Sequence, residues 1–313
     1  MRLALAGDTM LGRKVGERLE FDPPQSLLAP ELVEIVREAD LCVVNLECCI
    51  SERGKRFPGR VFHFRAPPIA VEVLTHLGVD CVTLANNHAL DFGPDGLADT
   101  LRHLHAAGIS CAGAGADVKE ARAPVALEKD GFQLGVVAVT DHPHEYAAAV
   151  DRPGVAFADL AREGVPDWLV ETIGRSAADA VLLAPHWGPN MQAEPVEHVR
   201  AAAPALLEAG ATLIAGHSAH VFQGVAPRVL YDLGDFLDDY AVEPKLRNDL
   251  GLLFFVELDG DRLEAIPLKL EYTHTRLAEG DDAEWIRRRF IAASAAFGIE
   301  ATLEDGRIVT TWR

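Results

Sequence analysis

The chain has 313 residues, 49% hydrophobic and 25% charged, with 29 basic against 48 acidic residues and a formal net charge of −19. That is enough for one large α/β domain or two modest ones, and so acidic a chain excludes nucleic acid and anionic membranes as partners recognised by bulk charge. An anionic small substrate stays admissible, because bound divalent cations reverse the local field.

The cysteines, Cys42, Cys48, Cys49, Cys81 and Cys111, are odd in number and form no C-x-x-C pair. A disulfide framework and a structural zinc site are therefore not expected, and a reducing compartment fits. The run Met1–Asp8 is too short for a signal peptide, and no stretch reaches the roughly eighteen apolar residues of a membrane span. A cytoplasmic location with no membrane partner is expected.

In chain order, Arg2–Asp8 is an apolar run that predicts a strand, followed by short helices near Val15–Leu19 and Pro30–Arg37. Leu41–Glu47 is a second strand, ending in a carboxylate. Ser51–Arg65 is a polar loop with Arg53, Lys55, Arg56, Arg60, His63 and Arg65, a cationic patch within an acidic chain. It is either a solvated loop or one that meets an anionic substrate. A helix over Pro68–Leu77 stops at Gly78, and Cys81–Asn87 is a strand running into His88. The helix Gly96–Ala107 stops at Gly108, and Ile109–Ala114 is the next strand. This alternation predicts parallel strands joined by crossover helices.

Gln133–Thr140 and Ala180–Ala184 are further strands, with helices over Asp167–Ser176 and Glu194–Ala209. The first strand runs into Asp141, His142 and His144, which belong to a pocket or to a surface loop. The second runs into His186 and Trp187, the tryptophan packing beneath. Ala211–Gly216 is a strand that stops at His217 and His220. Leu250–Leu258 and Leu263–Leu270, joined at Asp259-Gly260, predict a hairpin, followed by a helix over Ala283–Phe297 and a strand over Ile308–Trp312. With no linker or repeat, one domain over 1–313 is expected, with the hairpin and helix from about 250 onward as part of it.

Asp8, Glu47, Asn86, Asn87, His88, His186, His217, His220 and Asp235 all stand where strands end. Ligands of an α/β sheet collect beyond the carboxyl ends of its strands. One such Asp is a helix cap as readily as a ligand, and one such His a hydrogen-bonded structural residue; the recurrence points to metal. Carboxylate, imidazole and amide together suit zinc, manganese, iron or magnesium. The candidates exceed what one tetrahedral ion needs, so two divalent ions are expected, about 3.5–4 Å apart, favouring attack by bound hydroxide on a phosphoryl or carbonyl centre.

In order, Gly7-Asp8-Thr9-Met10-Leu11, Asn45-Leu46-Glu47, Ala85-Asn86-Asn87-His88 with Asp91 and Gly93, His186-Trp187-Gly188, Gly216-His217-Ser218-Ala219-His220 and Leu233-Gly234-Asp235-Phe236 resemble the CapA family of bacterial poly-γ-glutamate capsule synthesis, within the calcineurin-like metallophosphatase superfamily. The resemblance implies an α/β fold, a four-layer α/β/β/α sandwich with a dinuclear centre at one edge. It places Asp8 and His220 on the first metal, Glu47 between the two, and Asn87 (or Asn86), His186 and His217 on the second. His88 becomes the general acid or charge stabiliser, oriented by Asp91. Met10 stands where the superfamily usually has a histidine, which implies a first metal short of one ligand. Asp235 stands where relatives often have asparagine and implies an extra carboxylate.

The candidates for substrate contact are Arg13, His63, Arg65 and Asn86. The leading expectation is a metal-dependent phosphoesterase. The alternatives are a γ-glutamyl or amide hydrolase or transferase acting on γ-linked peptides, and a non-catalytic binding or assembly factor. Partners are accordingly an anionic small molecule or a γ-linked peptide; the sequence assigns no oligomeric state.

Overall fold

The computed structural model describes residues 1–312. The fold is mixed α/β, organised around two main sheets. In the larger, Arg2–Thr9 lies between Leu41–Leu46, to which it is parallel, and Leu250–Glu257, to which it is antiparallel. Cys81–Thr83 and Ser110–Ala112 extend the parallel side. Arg262–Glu271, Arg307–Thr311 and Ala301–Glu304 extend the antiparallel side. The C-terminal hairpin read at Asp259-Gly260 is thus hydrogen-bonded directly onto the first strand.

The smaller sheet runs in the order Val225–Ala226, Val229–Leu230, Leu213–Ala215, Ala180–His186, Phe132–Thr140, Val125–Lys129. Its four inner strands are parallel and its two edges antiparallel. Val125–Lys129 escapes a reading by pattern because only Leu127 is buried.

Side chains sort between the faces of this sheet with the period of two that strands impose. Leu134, Val136 and Ala138, with Leu182 and Ala184, join the main core shared with the larger sheet. Val137, Val139, Val181 and Leu183 join a second apolar cluster. That cluster is completed by Leu169 and Ile173 of the helix Asp167–Gly174, and by Val199, Ala202 and Leu206 of the helix Glu197–Glu208. The helices Pro30–Val36, Val71–Leu77 and Gly93–Ala106 contribute Leu32, Leu74, Leu97 and Leu104 to the main core. Strands buried on both faces are continuous apolar runs, which is why the sequence showed them plainly. All five cysteines are free, and burial raises their thiol pKa values, to about 12 for Cys49 and Cys111, so none is poised as a nucleophile. No helix among the described residues is long and apolar enough to cross a membrane.

Two departures from the sequence reading matter for the site. The third parallel strand stops at Thr83 rather than Asn87. Asn86 N donates to the Leu84 carbonyl at 2.9 Å, and this tight turn folds Asn86, Asn87 and His88 over the strand end. Asp235–Leu237 is itself a strand, parallel to the end of Arg2–Thr9, with Asp235 level with Asp8.

A close backbone approach fixes that register. Asp8 N donates to the Gly234 carbonyl at 2.9 Å, and a Cβ on Gly7 would lie 1.8 Å from the same oxygen. The strand is irregular there, shifting register between Ala6 and Asp8, and Gly234 sits at φ +75°, where a side chain would be strained. Gly7→Ala therefore forces the two segments apart and costs roughly 3 kcal/mol, the upper end of overpacking penalties. A denaturant titration checks this, and a midpoint equal to that of the unsubstituted chain refutes it.

Candidate metal centre

Each strand end delivers its side chain to one buried focus. Asp8 and Glu47 are fully buried, as is His186, the last residue of Ala180–His186. His217 and His220 follow Leu213–Ala215 on a strained loop, with Ser218 at φ +123° and His220 at φ +59°. The Ser218 hydroxyl donates to the Gly188 carbonyl and Ala219 N to the Asp232 carboxylate, both at 2.8 Å, which holds this conformation. The loop begins at a glycine because a Cβ on Gly216 would meet the Tyr231 carbonyl oxygen at 2.2 Å and Trp187 Nε1 at 2.3 Å. Trp187 lies beneath, its Nε1–H donating to that carbonyl at 2.9 Å.

Asp8 is the common member of two groups of convergent ligand atoms, Asp8 with His186 and His217, and Asp8 with Glu47, His220 and Asp235. His186 Nδ1 and His217 Nδ1 are 2.8 Å apart, and His217 Nδ1 is 3.9 Å from Asp8 Oδ1. On the other side, His220 Nδ1 is 2.8 Å from Asp235 Oδ1, 3.2 Å from Asp8 Oδ2 and 3.9 Å from Glu47 Oε2. The resemblance put Glu47 between two metals; the geometry puts Asp8 in both groups. Asn45 steadies Asp8, its Nδ2 donating to Oδ1 at 2.7 Å.

These residues fit a divalent cation. Asp8 Oδ2, both Glu47 oxygens, Asn87 Oδ1, His186 Nε2 and Asp235 Oδ2 are buried without a hydrogen-bond partner. Buried polar atoms are nearly always satisfied, so the unpaired atoms of Asp8, Glu47, His186 and Asp235, members of the two convergent groups, match what a cation would take up. Met10 takes no part, being fully buried with its sulfur accepting from Gly12 N at 3.1 Å. Asp235 brings the carboxylate instead.

The electrostatics agree. Burial, with the Asp8 charge added, pushes the Glu47 carboxyl well above its usual range, and burial does the same to Asp235. Burial drops His186 far below the usual imidazole range and His217 to about 4, so both are neutral with a lone pair to offer. Burial opposes charge on His220 too, but Asp235 and Glu47 outweigh it and hold that imidazole well above its usual value. Asp8 overcomes burial through its contact with His220 and lies below the usual range.

Beside the focus, His88 Nε2 is 4.0 Å from Glu47 Oε1, while His88 Nδ1 meets Asp91 Oδ2 at 2.6 Å. The Phe64 ring stacks on the imidazole with centroids 3.9 Å apart. Burial lowers the His88 pKa, Asp91 opposes that, and the Arg60 charge adds to the lowering. Tyr240 stands edge-on to His220 at 5.1 Å, its hydroxyl buried and unpaired.

Several expected substrate contacts lie elsewhere. Asn86 is occupied inside the fold: its Nδ2 donates to Asn45 Oδ1 and the Leu46 carbonyl at 3.0 and 2.8 Å, and its Oδ1 accepts from His88 N at 3.0 Å. It shapes the turn, leaving Asn87 as the asparagine with a free buried oxygen. Arg13 pairs with Asp239 at 3.2 Å and reaches the centre only through the rings of Phe64 and Tyr240. His63 Nε2 contacts the Phe57 carbonyl at 2.8 Å, and exposed Arg65 lies over the Phe92 ring at 4.2 Å. All three line a neighbouring cleft of about 650 Å³.

Asp141 is an anchor, accepting from Gly188 N at 2.9 Å and contacting His198 Nε2 at 3.1 Å and His142 Nδ1. This sets the His142 ring 5.1 Å from that of His186, whereas His144 packs against Phe157. Sequence reasoning missed Arg60, Tyr146 and Tyr240 as neighbours of the centre. Only Arg60 carried a signal, as one of several cations in its loop.

Residues 2–240 match the family described as bacterial capsule synthesis protein PGA_cap. A protein of Mycobacterium tuberculosis named "probable polyglutamine synthesis accessory protein" is 33% identical over 293 residues, 86% of this chain and 76% of that one. The "PGA biosynthesis protein CapA" of Bacillus subtilis is 28% identical over 246 residues, 75% of this chain and 63% of that one. Among solved structures, a calcineurin-like phosphoesterase from Bacillus subtilis aligns over 89% of this chain and 88% of its own, with a TM-score of 0.42 and 13% identity. The family match takes in every strand end from Asp8 to Asp235, and by it the chain belongs to the bacterial capsule synthesis protein family.

Proposed function

We propose that the chain is a divalent-metal-dependent hydrolase that cleaves a phosphoester of an anionic small molecule, with two ions in the centre and the cytoplasm as its place of action. The observation that carries this reading is Asp8 at the junction of two buried ligand groups surrounded by unpaired acceptors. His186 and His217 with Asp8 hold one ion, and Asp8, Glu47, His220 and Asp235 the other, with Asn87 Oδ1 as a further ligand. When bound, the ions supply Lewis acidity and water activation.

The chain itself does the positioning and the proton transfer. His88 stands beside Glu47 with Nδ1–H fixed on Asp91, and the Asp91 carboxylate favours the imidazolium, so in that form Nε2–H is the proton handed to the leaving oxygen, with Nδ1–H kept on Asp91. Phe64 and Tyr240 close one wall and limit water around His88 and His220.

A second reading, action on a γ-glutamyl or other amide bond, draws on the names of the relatives, which speak of polyglutamine synthesis and PGA biosynthesis. A binding or assembly role is the third.

Elemental analysis of the purified chain should find two divalent ions, with His217→Ala losing one and Asp8→Asn losing both. Hydrolysis of a phosphoester panel should vanish with chelator and return with manganese or zinc. Metal-replete protein that turns over no phosphoester sinks the phosphoesterase reading; release of glutamate from γ-linked peptides would then select the second, and no turnover of either kind the third. Chelation should also lower the melting midpoint, since an ion present at about a thousand times its Kd contributes ~4 kcal/mol to the folded state; an unmoved midpoint would contradict the buried-ligand assignment.

Asp91→Asn should lower kcat by about a hundredfold with KM little changed, in keeping with the usual worth of a positioned proton donor. Steady-state kinetics decide it, and an unaltered kcat removes the His88–Asp91 pair from the mechanism.

A further inference from the structure

Asp91 holds more than His88. Its Oδ2 also accepts from Phe64 N at 2.7 Å, and its Oδ1 accepts from the Tyr146 hydroxyl at 2.8 Å. Its backbone carbonyl accepts from Phe57 N at 2.8 Å. The loop from Phe57 to Phe64 is therefore tied at both ends to the residue that orients the proposed proton donor. Ring contacts reinforce the tie, Phe57 edge-on to Tyr146 at 4.9 Å and Phe64 stacked on His88 at 3.9 Å. Between these ends the chain turns at Pro58 and Gly59, the glycine at φ +78°, and returns Arg60 to the centre. Arg60 Nη2 donates to the Asn87 carbonyl at 2.9 Å, and its guanidinium lies 5.5 Å from the Tyr146 ring centroid.

The other cations of this stretch are engaged or turned away. Arg53 is paired with Asp99, Arg65 lies on Phe92 at the neighbouring cleft, and Lys55 and Arg56 are exposed. Arg60 is half-buried, and no carboxylate among the described residues pairs with it. It is bound through the backbone of Asn87, which precedes His88 and whose own side-chain oxygen is buried and unpaired. A guanidinium has five N–H donors in a planar fork that matches two oxygens of one anionic group. Only one contact of that fork is used within the fold.

We propose that Arg60 is the anion-recognition residue of this centre, taking the non-bridging oxygens of a terminal phosphoryl group and so favouring phosphomonoesters over diesters. A monoester dianion spreads two negative charges over three non-bridging oxygens and can offer a pair of them to the fork while its bridging oxygen faces the proton donor; a diester has two such oxygens sharing one charge and a second, bulkier substituent. The loop that carries Arg60 shares its base with His88, so the anion and the leaving oxygen are referred to one support. This deepens the phosphoesterase reading and rests on it for the choice of substrate.

The test uses the full metal-replete chain and inorganic phosphate as the probe, followed by titration calorimetry. Arg60→Gln should weaken phosphate binding by about tenfold, the worth of a hydrogen bond to a charged group, with ion content unchanged. Arg56→Gln, on the same loop but exposed, should bind as the parent does. In turnover, Arg60→Gln should raise KM for monoesters and leave diesters unaffected. Equal phosphate affinity in Arg60→Gln and the parent, or no phosphate binding by the parent, overturns the proposal. Loss of phosphate binding in Arg60→Gln supports Arg60 as the anion residue even if the parent hydrolyses no phosphoester; intact monoester turnover with unchanged KM in Arg60→Gln rejects it while the hydrolase reading stands.

Discussion

Three carboxylates, those of Asp8, Glu47 and Asp235, are buried together against a single imidazole that favours its charged form, His220. Negative charge in a medium of low dielectric must be compensated, and one imidazolium does not compensate three acids. Much of the surrounding architecture follows from this imbalance. Glu47 and Asp235 are driven toward the protonated form and oxygens are left unpaired where a cation would sit, while burial itself holds His186 and His217 neutral against the pull of the acids. Divalent ions would bring the two carboxyls back to their ionised form and take up the unpaired oxygens, while the two imidazoles, already neutral, would keep their lone pairs for coordination.

Holding such a focus together requires rigid backbone, and the chain supplies it by close backbone approach together with hydrogen bonds from outside the ligand set. Gly7 lets the Gly234 carbonyl reach Asp8 N, and so brings Asp235 level with Asp8 from the other end of the sequence. Gly216 lets the chain pass Trp187 and Tyr231 before the strained loop that aims His217 and His220. The strain at Ser218 and His220 is held by bonds to Gly188 and Asp232, outside the ligand set. Asn45 and Asn86 form a second support, linking Asp8 to the turn that carries Asn87 and His88.

The chemistry on one flank is organised by Asp91. It meets the His88 imidazole, accepts a tyrosine hydroxyl, and anchors both ends of the Phe57–Phe64 loop. A chain of net charge −19 thereby holds a cation, Arg60, against the backbone of Asn87, next in sequence to His88. Bulk charge alone would repel an anion; under the proposed function, divalent ions in the centre would reverse that locally.

By itself the sequence determined the parallel strands and the acids, amides and imidazoles at their ends, because strands buried on both faces are unbroken apolar runs and a polar residue at the end of such a run stands out. The family resemblance likewise implied the contact of His88 with Asp91, which the structure has at 2.6 Å. The sequence did not determine which groups converge. Asp8 joins both ligand groups and Asn86 is a structural tie, because strand register and a turn at Leu84–Asn87 decide them; the extra carboxylate of Asp235, implied by the resemblance, stands level with Asp8. From the cationic loop the sequence reading takes His63 and Arg65 as substrate contacts and passes over Arg60. Only the tertiary structure separates them, because a loop has no periodicity to fix side-chain direction, and the bonds from Asp91 that shape its path come from a residue 27 positions away from Phe64.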